Sequence, residues 1–151
     1  MSEHLLCFVP VDPRFVPAAS AQDAAVELLR KAWPDADEIS VDASDEIVLH
    51  DCGENFERVR CPHCRRDLDM GVWQEMLDDD ASEDGGFDLR SRSMPCCGRH
   101  ATLNELVYAW PQAFGRFALT ATDPGTELPA ALLANLESTL GCKLRLVHQM
   151  Y

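Results

Sequence analysis

At 151 residues and 46% hydrophobic composition, the chain has the length of one domain and enough apolar side chains for a core, which excludes a large multidomain enzyme. Thirteen Lys and Arg against 26 Asp and Glu give a formal charge of −13, which disfavours a nonspecific grip on phosphate backbones and docking on anionic membranes. No stretch approaches the roughly 20 apolar residues of a transmembrane helix, and Met1-Ser2-Glu3-His4 lacks the basic start of a signal peptide, so a cytoplasmic protein is expected.

In chain order, Leu5 to Val11 is an apolar run closed by Asp12-Pro13, a strand entering a turn. Ser20 and Asp23 form a variant of the capping box. Behind them Ala24, Ala25, Leu28, Leu29 and Ala32 recur at helical spacing until Pro34. Glu38 to Asp42 alternates as a half-buried strand does, completing a β-α-β unit over 5–42. The runs 46–50 and 56–60 predict a hairpin turning at 51–55, which delivers the chain to a first cysteine motif. Asp69 to Leu77 then reads as a short helix with Val72, Trp73, Met76 and Leu77 on its apolar side. The acidic run from Asp78 to Gly86 reads as a solvated loop, and Phe87 to Met94 as a strand returning to a second cysteine motif. Asn104 is expected to cap or brace a turn, Pro111 to end a helix, and Tyr108, Trp110 and Phe114 to seal the cysteine-bearing segment against the main sheet.

Arg116 to Thr122 is again a strand closed by an Asp-Pro turn. Leu128, Leu132, Leu133, Leu136 and Leu140 share one face of a helix that Gly141 can end, and Leu144 to His148 supplies the last strand. This second β-α-β unit covers 114–150. Two such units predict an α/β (α+β) chain folded as a ferredoxin-like sandwich, a single domain over 1–151 with a zinc-ribbon-like module inserted at 56–101.

Seven cysteines, an odd number in a chain expected to be cytoplasmic, fit metal ligation better than a disulfide framework. Cys61-Pro62-His63-Cys64 has the spacing that points two thiolates at one ion, as in the first half of a zinc ribbon. The second half is Pro95-Cys96-Cys97-Gly98-Arg99-His100. Two ligand sets compete: Cys61, Cys64, Cys96 and Cys97, or a three-cysteine, one-histidine set using Cys97 and His100, which has the more regular spacing. Cys7 and Cys142 lie apart and read as small buried hydrophobes.

The segments Cys61-Pro62-His63-Cys64, Pro95-Cys96-Cys97-Gly98, Thr102-Leu103-Asn104-Glu105-Leu106 with Tyr108 and Trp110-Pro111, and Phe114-Gly115-Arg116-Phe117 together resemble an uncharacterised bacterial zinc-ribbon-like family. The resemblance covers about residues 58 to 150. It implies a small cytoplasmic protein and no particular activity. The adjacent cysteine pair is the family's recurring element, so the resemblance favours Cys61, Cys64, Cys96 and Cys97 as ligands of a structural zinc, with His100 in reserve.

No G-x-S-x-G, H-E-x-x-H or phosphate-binding glycine loop occurs. His50 and Cys52 share one side of a strand and could pair as base and nucleophile, although packing is the expected role. Seven arginines against nine acids leave 58–99 at −2 and the remainder at −11. The reading that follows is a non-catalytic, zinc-stabilised protein-binding module of adaptor, regulatory or immunity type, whose partner is a protein with a basic surface. Nucleic-acid binding through an arginine-rich face is the alternative, and a zinc-dependent hydrolase stands third.

Overall fold

The computed structural model describes residues 3–151; Met1 and Ser2, the start of the N-terminal stretch tested above for basic charge, lie outside them. In chain order the elements are β1 (His4–Pro10), α1 (Ala19–Ala32), β2 (Glu38–His50), β3 (Arg58–Arg60), α2 (Met70–Asp80), β4 (Arg92–Ser93), β5 (His100–Ala101), a 3₁₀ turn (Leu103–Glu105), β6 (Val107–Ala109), β7 (Ala113–Thr122), α3 (Leu132–Leu140) and β8 (Leu144–Met150). The architecture is α+β. Four antiparallel strands form one sheet in the order β2-β7-β1-β8, and β3-β6 and β4-β5 form two small antiparallel pairs.

Strand periodicity decides which side chains meet the helices. Leu6 and Phe8 of β1, Phe117, Leu119 and Ala121 of β7, and Leu144 of β8 cluster with Ala25 and Leu29 of α1 and Leu132, Leu136 and Leu140 of α3, so both helices cover one face. Gly141 ends α3 in the left-handed conformation, φ 78°, as its position implies. The capping box expected at Ser20 does not form. Helix α1 begins at Ala19 without a side-chain cap, which places Ser20 inside its first turn, and Gln22 Nε2 donates instead to Pro17 O at 2.9 Å. Among the described residues no helix is long and apolar enough to cross a membrane.

The expected hairpin between 46–50 and 56–60 is also corrected. Both apolar runs, 38–42 and 46–50, belong to one long strand, β2, which stays paired with β7 through an irregularity between Ala43 and Val48. From its end the chain crosses the face opposite the helices to the far edge of the sheet. There Gly53 bridges Met150, Glu54 N donates to Met150 O at 2.7 Å, and Asn55 Nδ2 donates to His148 O at 3.1 Å. Cys52 packs on the way against Cys7 and Val9 of β1, Ala118 of β7 and Val147 of β8. The crossing needs glycine at 53: with φ 61°, a Cβ there would stand 2.1 Å from Met150 O.

Strand β3 therefore finds its partner in β6, not in β2. Val59, Leu68, Trp73, Met76, Leu89, Met94, Leu103 and Tyr108 make a second core, which reaches the main sheet through Ile47 and Phe114. Of the strand expected at 87–94, Arg92–Ser93 forms a short strand paired with His100–Ala101, and Phe87 makes an isolated bridge to Ala81. Pro111 ends no helix: the residues before it form a 3₁₀ turn and β6. Pieces this short are marginal in water by themselves, so the region depends on packing and on whatever else ties its turns together.

Candidate metal centre

The turn at Cys61 closes by two backbone bonds, Cys61 N to Arg66 O at 3.0 Å and Arg65 N to Cys61 O at 3.1 Å, with Arg65 at φ 65°. The turn at Met94 repeats the pattern. Met94 N donates to Arg99 O at 2.8 Å, Gly98 N to Met94 O at 2.8 Å, and Gly98 has φ 76°. Met94-Pro95-Cys96-Cys97-Gly98-Arg99 is thus the conformational copy of Cys61-Pro62-His63-Cys64-Arg65-Arg66. Cys97 answers to Cys64, but Met94, fully buried, stands where Cys61 stands, and the thiol it lacks comes from Cys96 at the position of His63.

The four Sγ atoms of Cys61, Cys64, Cys96 and Cys97 lie within 4.8 Å of one another, with Cys64 to Cys96 at 3.2 Å and Cys61 to Cys97 at 3.7 Å. A tetrahedral site with metal–sulfur bonds of about 2.3 Å spaces its sulfurs about 3.8 Å apart, so this group could hold a metal ion such as zinc. Cys61 is buried, Cys64 and Cys96 are half-buried and Cys97 is exposed. His100 is not in the group. It sits exposed on β5, and its carbonyl accepts from His63 Nε2 at 2.8 Å.

Burial by itself raises the Cys61 thiol, but the N–H groups of Cys64 and His63, with the thiols of Cys96 and Cys97, outweigh it and bring the group down to about 6. Cys96 is pushed up, by burial first and then by Cys64 and Cys61 beside it. A thiol held low by N–H donors inside a cluster of four is a starting point for a dication, whose charge would favour the thiolate form of its ligands.

The second turn is held from below by a buried carboxylate. Asp80, the last residue of α2, is fully buried and accepts from Leu89 N at 2.7 Å and Arg90 N at 2.8 Å; Arg92 stands at 3.4 Å and is shared with Asp79 at 3.0 Å. At this residue the expectation of a solvated acidic loop is overturned, because the helix C-terminus turns Asp80 inward against the segment leading to β4. Composition gave no warning of it: only the arginines at 90 and 92, after the six acids of 78–88, hint at a partner.

Tyr108 and Phe114 seal this region to the sheet as expected. Tyr108 OH donates to Leu103 O at 2.7 Å and its ring meets Trp73 edge-on at 6.0 Å, while Phe114 meets Phe87 edge-on at 5.1 Å. Trp110 does not join them; it is 42% exposed and lies edge-on to His148. Asn104 braces, as expected, and its Oδ1 accepts from Phe114 N at 2.9 Å and from Arg145 Nη1 at 3.1 Å. His50 and Cys52 are engaged separately, His50 Nε2 with Gly115 O at 3.2 Å and Cys52 Sγ with Gln112 Oε1 at 3.4 Å. Burial holds His50 below its ordinary value and Cys52 above, the wrong way round for a charged base–nucleophile pair. Cys7 and Cys142 stand outside the cysteine group.

The fold and site define an α+β protein with a four-cysteine cluster between two matched turns. Compared with family models, with curated proteins and with solved structures, the chain has no match, and no family is assigned to it.

Proposed function

We propose that the chain is a non-catalytic binding protein in which a structural zinc at Cys61, Cys64, Cys96 and Cys97 stiffens one region while an acidic body meets a basic protein surface. The strand order β2-β7-β1-β8, with both helices on one face, supports reading that body as a ferredoxin-like sandwich. A cytoplasmic setting, where thiols stay reduced, is part of the same reading.

The observation that carries it is the placement of charge. Arg58 and Arg60 pair with Asp67, and Arg90 and Arg92 with Asp79 and Asp80, so four of the seven arginines in 58–99 already have acidic partners. Among the described residues Arg65, Arg66 and Arg99 make no ion pair, and they flank a centre whose four thiolates would exceed zinc's charge by two. Little cationic surface is left for phosphates, whereas the −11 outside that stretch attracts cations. Four thiolates also complete a tetrahedron, which argues against an open catalytic position.

Binding of DNA or RNA in a mobility assay, compared with salt-dependent capture of proteins from a lysate, tests the proposal. Salt-sensitive protein capture with weak nucleic-acid binding is expected. Tight DNA or RNA binding at about 150 mM salt, abolished by Arg65→Glu with Arg66→Glu, would make the knuckle face the functional surface instead.

A further inference from the structure

Resting on that reading, we infer that the outer edge of β2, over Glu38–Ala43, is the contact itself: it adds an extended, basic segment of the partner as a fifth strand. The sheet has two edges, β2 and β8. The β8 edge is occupied at both ends, by Glu137 Oε2 on Leu144 N and by Gly53, Glu54 and Asn55 at Met150 and His148. Farther along β2, Ile47 O is already taken by Phe87 N at 2.8 Å. Among the described residues, Glu38 to Ala43 pairs with β7 on one side only. Six residues of strand, about 20 Å, present half of their backbone donors and acceptors outward.

The side chains on this edge select the occupant. Residues 35–46 contain six acids and no Lys or Arg. Glu38, Ser40 and Asp42 point to the face away from the helices, and Ile39, Val41 and Ala43 to the face on which the helices pack, since Val41 is registered with Leu119 and Asp42 with Ala118. Val41 is 37% exposed. An added strand sets each of its residues beside one on the same face. Opposite Glu38 and Asp42 it needs Lys or Arg, and opposite Ile39 and Val41 it gains from apolar side chains: an alternating basic–apolar segment. A second copy of β2 would bring Glu38 and Asp42 against like charges, which disfavours self-pairing and leaves the edge to a cationic partner.

The test uses the full chain with zinc and a labelled nine-residue peptide alternating lysine with valine, followed by fluorescence anisotropy. Two further peptides carry N-methyl groups on alternate peptide bonds, one in each register. Strand addition predicts that one methylated register loses binding and the other keeps it, because only every second N–H of an added strand faces β2. The double substitution Glu38→Lys with Asp42→Lys, on exposed side chains, should weaken the unmethylated peptide at least about tenfold. Hydrogen exchange should slow at 38–43 on binding. Equal binding of both methylated peptides, or an unchanged affinity after the charge reversals, overturns the edge as the contact while salt-sensitive binding elsewhere leaves the acidic-body reading standing. Protection of 38–43 in the protein alone, rising with its concentration, assigns the edge to a second copy and overturns the inference. If no cationic peptide or protein binds at about 50 mM salt, both readings fall together.

Discussion

Asp80 is where the structure makes its most demanding statement about stability. Its carboxylate is fully buried, satisfies two backbone N–H groups at 2.7 and 2.8 Å, and faces Arg92 at 3.4 Å. Asp80→Ala strands both donors, each at about 1–3 kcal/mol. It also removes one of two carboxylates from a largely buried guanidinium, although Asp79 at 3.0 Å remains to Arg92. A loss of about 3–5 kcal/mol follows, the range for breaking a buried pair from one side, out of a total near 5–15 kcal/mol. Asp80→Asn keeps one acceptor oxygen and should lose about 1.5–3 kcal/mol. Urea unfolding of zinc-loaded protein, with unchanged slope as the control for two-state behaviour, reads both values. If Asp80→Ala stays within about 1 kcal/mol of the parent chain, the inward carboxylate is not what anchors the segment before β4.

Elemental analysis should find one zinc per chain, lost in Cys97→Ser and retained in His100→Ala, Cys7→Ala and Cys142→Ala; less than about half an equivalent in the parent chain would remove the structural zinc. Gly53→Ala should cost at least about 3 kcal/mol, since at φ 61° its Cβ meets Met150 O at 2.1 Å, whereas Gly125→Ala, at φ 85° with nothing within 4 Å, should cost about 1 kcal/mol in a thermal melt. Burial lowers His50, and burial followed by the charge of His4 lowers His148, so the unfolded chain takes up these protons near pH 6.5, before the folded one does. Their contribution is complete above that pH and is lost as pH falls from about 6.5 through the folded values; His50→Gln should reduce the drop in stability between about pH 7.5 and 5.5, and an unchanged drop would count against a buried neutral imidazole.

The two β-α-β units were legible because their signals are local: alternating strands, one helical stripe each, and stops at Pro34 and Gly141. What failed was pairing over distance. The run 46–50 looked like half of a hairpin, yet β2 continues through an irregularity along β7, and the loop at 51–55 answers to Met150 about a hundred residues away. Hydrophobic alternation states that a strand exists and says nothing of its partner. The cysteine quartet was legible from its types and clustering, but its choice over His100 rested on the family resemblance. A further signal lay unused in the chain: Met94-Pro95-Cys96-Cys97 has the register of Cys61-Pro62-His63-Cys64, with a left-handed position next in each, which identifies two copies of one turn and shows that the second carries its extra thiol at the third place.

That displaced thiol ties the centre to the rest of the protein. With Met94 in the first position, the second turn gives that side chain to the core around Trp73 and Leu103, so the same six residues serve packing and bring two thiols to the cluster. The segment feeding that turn is in turn fixed by Asp80, whose arginine partner is thereby withdrawn from the surface. Arginines 58 and 60 are drawn to Asp67 beside the first turn in the same way. Building the centre therefore consumes most of the positive charge between 58 and 99, and the field that an approaching molecule meets is set by the acids of the sheet and its edge.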